Sequence, residues 1–202
     1  PLSMVMGYAA QMEGAADLPL ERRKQAGIIR AQSQAIRDLV NDLNLTMRLD
    51  CAMQALRKES LQLEAFLRQI AADFLNGGLG DGFDLEMDLP EEPLPKIQAD
   101  PFLLRRAVNN LLTNCVRHNA PGCSICLGAR AEGKEVVIFV EGGSVTSTTA
   151  QTDSARQLES DGGAAHGTGL KLVSQIAAAH GGEARFYGGD VFRCELRLPA
   201  AS

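Results

Sequence analysis

Between Asp100 and Asn119 the chain reads DPFLLRRAVNNLLTNCVRHN, with Leu104, Val108, Leu111, Leu112 and Cys115 recurring at helical spacing. Opposite that stripe stand Asn110 and Asn114, and Arg117 and His118 follow one turn on. The pattern predicts an amphipathic helix whose outer face carries amides and a cation. Nearer the start, from Leu20 to about Leu56, Ile29, Ile36 and Leu43 fall seven apart and are joined by Leu39, Val40 and Met47. Such a seam asks for a covering helix, from a second chain or from the rest of the same monomer. An apolar helical stretch, PLSMVMGYAAQMEG, precedes it, and residues 14–19 break the pattern. Together these predict an antiparallel helical hairpin, two of which make a four-helix bundle.

The remaining pattern mixes the two periods. Leu61, Leu63, Phe66, Leu67, Ile70 and Phe74 predict a helix from about Arg57, stopped by NGGLGDG at 76–82. Phe83, Leu85, Met87 and Leu89 alternate as a strand, and 124–131 and 135–140 predict a hairpin turning at Glu132-Gly133-Lys134. Residues 146–166 are small and polar and predict a mobile loop. A helix is expected over 170–180, stopped by Gly181-Gly182, and two strands at 184–187 and 191–198 close the chain. The expected fold is an α/β two-layer sandwich preceded by an antiparallel α-helical hairpin, with domains at 1–56 and 57–202.

Composition narrows the field. The chain has 202 residues, 45% hydrophobic and 22% charged, with a net charge of -5. That is ordinary globular composition, without the basic excess of a nucleic-acid binder. No apolar run approaches the length needed to span a bilayer, and no signal peptide is present. The five cysteines include one CxxC, Cys123 and Cys126, without a second pair at zinc spacing, so all five are expected as reduced core residues. Asn44-Leu45-Thr46 matches a glycosylation sequon but lies inside the helical repeat, where chance accounts for it.

The chemistry gathers on the amide face. A carboxamide oxygen can ligate a hard metal ion, and a cation one turn away can meet a phosphate, which suits a nucleotide with Mg2+. Gly167-Thr168-Gly169-Leu170 opens the later helix, where exposed N–H groups and a missing Cβ favour a close anion.

The row N-L-L-x-N-x-x-R-H resembles the N box of the sensor histidine kinases, a branch of the Bergerat (GHKL) ATPases. GTGLKLVSQIAAAHGGEARF at 167–186 is similar to their G2 box with its trailing helix and strand, and LRLP at 196–199 to their closing strand. Over roughly half the chain, the resemblance implies a protein-histidine kinase that binds ATP and Mg2+. It places the metal ligand on Asn114, support from Asn110, a phosphate contact on Arg117, a nucleotide-lining role on His118, and phosphate contacts on Gly167, Thr168, Gly169 and Leu170. The opening PLSMVMGY resembles the continuation of the family's H box, so the phosphoacceptor histidine is expected upstream of residue 1, and no catalytic residue within the chain. The resemblance also implies a homodimer through the hairpin, a response regulator receiver domain as partner, no nucleic acid, and a cytoplasmic domain of a bacterial inner-membrane receptor whose membrane segments lie elsewhere.

Four positions depart from the family pattern. The G1 box, D-x-G-x-G, reads Glu141-Gly142-Gly143-Ser144-Val145, so the adenine-binding acid would be Glu141, with Gly143 beside it. Lys171 replaces the third glycine of the G2 box, and Asp190 replaces the hydroxyl of the closing G-T-x-F. A site altered in this way admits a second expectation: a nucleotide-degenerate dimeric scaffold that docks a response regulator without catalysis. An anti-sigma kinase of the same fold is disfavoured by the long hairpin.

Overall fold

Asp100 fixes where the amphipathic pattern becomes a helix. Its carboxylate accepts the N–H groups of Phe102 (3.1 Å) and Leu103 (3.2 Å), and Pro101 presets φ in the first turn. The helix runs to His118, where Asn119 leaves it with extended dihedrals. The computed structural model describes residues 1–51, 55–78, 80–119, 122–143, 156–157, 168–188 and 192–201.

Those residues form two compact units, Pro1–Arg48 and Leu49–Ser202. The first is a helical pair, α1 (Leu2–Gly14) and α2 (Leu20–Asp50), linked by residues 15–19. Arg30 ties the pair, its Nε 2.6 Å from Glu13 Oε2. Gly27 leaves room for that carboxylate, since an added Cβ would sit 3.1 Å from Glu13 Oε1. The heptad seam is not covered within this unit: Ile29, Ile36, Leu39, Val40, Leu43 and Met47 all remain about half exposed.

The second unit contains β1 (Glu59–Leu61), α3 (Leu63–Asn76), β2 (Asp84–Asp88), β3 (Ile97–Ala99) and α4 (Pro101–His118). It continues through β4 (Ser124–Glu132), β5 (Glu135–Gly143), β6 (Arg156–Gln157), α5 (Thr168–Ala179), β7 (Glu183–Gly188) and β8 (Phe192–Pro199). The main sheet has the order β2-β4-β5-β8-β7-β6, and only the β2–β4 pair is parallel. β1 and β3 form a separate antiparallel pair with Leu61 opposite Ile97. Leu61 therefore lies on a strand rather than at the start of the helix that its spacing predicted. α2 ends at Asp50, short of Leu56, and the expected loop at 146–166 lies outside the described residues except for Arg156 and Gln157, which pair with Gly188 and Tyr187.

One sheet face is apolar and the other charged, which makes the architecture two-layered. Leu67 and Ile70 of α3, Leu104, Leu111 and Leu112 of α4, and Leu172 and Ile176 of α5 are fully buried with Ile125, Leu127, Ile138, Val140 and Leu196 of the sheet. On the opposite face Glu195 of β8 accepts from Arg130 (2.8 Å), Arg193 (2.9 Å) and Arg197 (3.1 Å). Burial raises the pKa of Glu195, but the surrounding guanidinium groups outweigh that and hold it below the usual carboxylate range. Phe139 lies between Arg130 and Arg193, with ring centroid distances of 5.2 and 4.8 Å. Gly128 makes room for this ring: an added Cβ would lie 2.7 Å from Phe139 Cε2 and 2.6 Å from the Asp88 carbonyl.

Candidate functional site

Residues 110 and 114 stand one turn apart on α4, so the two amides share a face. Both are half-buried, while Arg117 is exposed. Asn110 Nδ2 is buried and has no hydrogen-bond partner among the described residues. Across from it begins α5: a Cβ added at Gly169 would lie 3.9 Å from that same Nδ2. The first turn of a helix leaves four N–H groups without intrahelical partners. Here an orphaned amide N–H faces that turn, a donor arrangement suited to phosphate oxygens. Asn114, one turn on, carries a carboxamide oxygen, the kind of ligand that suits a hard cation such as magnesium.

The other predicted positions divide. Leu170 is buried in the core and acts as a packing residue. Lys171 is turned to solvent, its side chain 62% exposed, so it does not crowd the turn. His118 and Thr168 occupy the last position of α4 and the first of α5. Gly167, Val145 and Asp190 lie outside the described residues.

Glu141 is not brought to the amide face. It sits opposite Arg193 in the β5–β8 register and forms an ion pair with it on the charged side of the sheet, as does Glu195. Side chains alternate along a strand, so Gly142 points the other way, toward α4. A Cβ there would meet Cys115 Sγ at 3.2 Å and, closer still, the amide of Asn119, which donates to the Cys115 carbonyl at 2.8 Å. Gly143 returns to the charged side. Gly142 and Asn119 thus border the site where Glu141 was expected. The alternation of Val136, Ile138 and Val140 carries this signal, but Val137 and Phe139 are also apolar and mask it.

All five cysteines are free, and burial pushes the Cys115 thiol up to about 12 and Cys126 to about 11, with the Glu141 charge adding to both. Among the described residues no cluster of His, Cys, Asp and Glu could hold a metal ion, the Cys123–Cys126 pair included.

The far ends of α4 and α5 are joined by His180. Its Nε2 accepts the Asp100 N–H at 2.9 Å, and its Nδ1–H donates to the Ile176 carbonyl at 2.7 Å, which fixes a neutral tautomer. Burial lowers its pKa below 6.5; Lys58 pushes the same way, while the Ile176 contact and Asp100 oppose. A group whose folded pKa is depressed in this way binds its proton more readily in the unfolded chain. Its contribution to stability is therefore present above about pH 6.5 and lost as pH falls below it. The thermal midpoint should fall between pH 7 and pH 5.5, and His180→Gln should flatten that slope; identical slopes in scanning calorimetry would contradict the assignment.

Residues 99–200 match the family described as histidine kinase-, DNA gyrase B-, and HSP90-like ATPase. The chain is 34% identical over 176 residues to the alginate biosynthesis sensor protein KinB of Pseudomonas aeruginosa, covering 82% of this chain and 29% of that protein. It therefore spans less than a third of that relative's length. Among solved structures, full-length ShkA in complex with AMPPNP superposes with a TM-score of 0.67 at 29% identity, over 100% of this chain and 44% of the other. The Acinetobacter baumannii histidine kinase AdeS reaches the same TM-score at 15% identity, covering 100% and 96%.

Proposed function

Because the chain belongs to the histidine kinase-, DNA gyrase B-, and HSP90-like ATPase family, we propose that its second unit is the ATP-binding part of a two-component sensor histidine kinase. Such a kinase moves the γ-phosphoryl of ATP to a histidine and then to an aspartate of a response regulator receiver domain. The observation that carries the reading is the orphaned Asn110 N–H facing the first turn of α5, one helical turn from Asn114. ATP with Mg2+ supplies the activated phosphoryl group and much of its charge neutralisation. The chain's part is positioning: Asn114 would hold the metal through its amide oxygen, Asn110 and the α5 turn would hold phosphate oxygens, and Arg117 would add positive charge.

The three histidines are His118, His166 and His180, none of them in α1 or α2. The acceptor must then be supplied from outside these residues. Incubation with labelled ATP should leave this chain unlabelled, and should label a helical hairpin carrying the acceptor histidine when one is added. Label on the chain by itself, or none on the added hairpin, would count against the reading.

The half-exposed seam of α2 supports a homodimer through the helical pair. Ile36→Asp with Leu43→Asp should convert a dimer to a monomer in analytical ultracentrifugation without loss of nucleotide binding. Among the described residues no helix is long and apolar enough to cross a membrane, and attachment to a receptor would run through other segments.

A second reading is favoured by Glu141. With its carboxylate engaged by Arg193 on the far side of the sheet and Gly142 facing α4, Glu141 does not supply, among the described residues, the acid that the family pattern provides at the base end of the site. The chain would then be a scaffold that docks a response regulator with a weakened nucleotide pocket. Nucleotide affinity separates the two.

A further inference from the structure

We propose that Asp100 links the chain segment entering at Arg57 to the spacing between Asn110 and Gly169, making Asp100 and His180 positioning residues of the nucleotide site. The proposal rests on the nucleotide reading above.

α4 and α5 lie side by side in opposite directions. At one end the start of α4 meets the end of α5 through the Asp100–His180 bond, and at the other Gly169 faces Asn110. One residue joins three segments at the first of these ends, two through its carboxylate and one through its backbone N–H. Asp100 Oδ1 caps α4 through Phe102 and Leu103, while Oδ2 accepts the backbone N–H of Arg57 at 2.9 Å. The N–H of Asp100 itself reaches His180. Asp100 and His180 are only 6% and 4% exposed, so water is poorly placed to replace a bond that is lost. Displacement of Arg57 therefore has two outcomes: the carboxylate follows it and tilts the start of α4 against α5, or the bond breaks. A helix transmits a tilt along its length, and Asn110 lies about 15 Å beyond the cap.

Two substitutions separate this role from simple support of the fold. Asp100→Asn keeps a good N-cap but presents a donor where Arg57 needs an acceptor. Arg57→Pro removes that N–H without substituting Asp100, His180 or either helix, and Arg57→Ala, which keeps the N–H, controls for the lost guanidinium group. Each would be made in the full chain, and binding of the ATP analogue AMP-PNP with Mg2+ followed by titration, with thermal midpoints as a check on folding. For Asp100→Asn, amide exchange would be followed at Arg57. Asp100→Asn and Arg57→Pro should both keep midpoints within a few degrees of wild type and weaken binding about three- to tenfold, and Arg57 exchange should accelerate in Asp100→Asn. Wild-type affinity in Arg57→Pro, or unchanged Arg57 exchange in Asp100→Asn, overturns this proposal alone. Absence of AMP-PNP binding by the folded wild-type chain overturns the nucleotide reading, and this proposal with it.

Discussion

Gly182→Ala is expected to lower the thermal midpoint of the second unit by about 10 °C, the consequence of a loss of about 3 kcal/mol or more. Gly182 lies between the end of α5 and β7, pressed against β8. An added Cβ would overlap the carbonyl oxygen of Arg197 and lie 3.0 Å from its carbon and 3.1 Å from Leu198 Cδ2. The obstacle is backbone in an inner strand, paired on one side with β5 and on the other with β7, so it cannot yield as a side-chain tip would. Gly181→Ala is the useful contrast. That residue has φ +79°, a conformation disfavoured for alanine, but the nearest atom to its added Cβ is Pro199 Cγ at 3.9 Å. Its cost should be about 1–2 kcal/mol, from backbone strain alone. Equal losses for the two variants in scanning calorimetry would show that the contact with β8 is not what matters.

Asn114→Ala should leave the fold intact, because the residue is half-buried on the outer face of α4 and its removal opens no core cavity. Nucleotide binding in the presence of Mg2+ should weaken by about 30-fold or more, the scale of losing a metal ligand or its closest support. Asn110→Ala should act differently. Its buried Nδ2 faces Gly169, so the loss should fall on a phosphate contact and persist when Mg2+ is withheld. A similar Mg2+ dependence in both variants would mean that the metal is not assigned to Asn114.

What could be read from the sequence follows from which interactions are local. The spacing of Leu104, Val108, Leu111 and Cys115 is set within one helix, so α4 and its amide face were legible, as were the β4–β5 hairpin around Gly133 and the stop of α5 at Gly181. The strand status of Leu61 was not, because it depends on pairing with Ile97, thirty-six residues away in sequence. Nor was the side of the sheet taken by Glu141. The run Val136-Val137-Ile138-Phe139-Val140 is apolar at every position, since Phe139 is covered by Arg130 and Arg193 rather than by a helix. That continuous pattern hides the period of two. The Asp100–His180 bond joins residues eighty apart in sequence. The cap at Asp100 could be anticipated from Asp-Pro before an apolar run, but its buried partner could not.

The same distinction applies to the candidate site. Asn110 and Asn114 lie on one helix, and their shared face needed only the helical repeat. The approach of Asn110 to Gly169 is a tertiary fact, and so is the place of Asn119 over Gly142. The family resemblance assigned Asn110 and Gly169 to one nucleotide site without stating a contact between them. It put the base-end acid on Glu141, whereas strand alternation turns that residue toward Arg193.

The measurement that bears most directly on the central claim is isothermal titration of the chain with AMP-PNP, with and without Mg2+, alongside Asn114→Ala. Binding with a Kd between micromolar and sub-millimolar is expected, dependent on Mg2+ and largely lost in the variant. No heat at millimolar nucleotide from a chain shown to be folded would contradict it, leaving a docking scaffold that has kept the fold without its nucleotide.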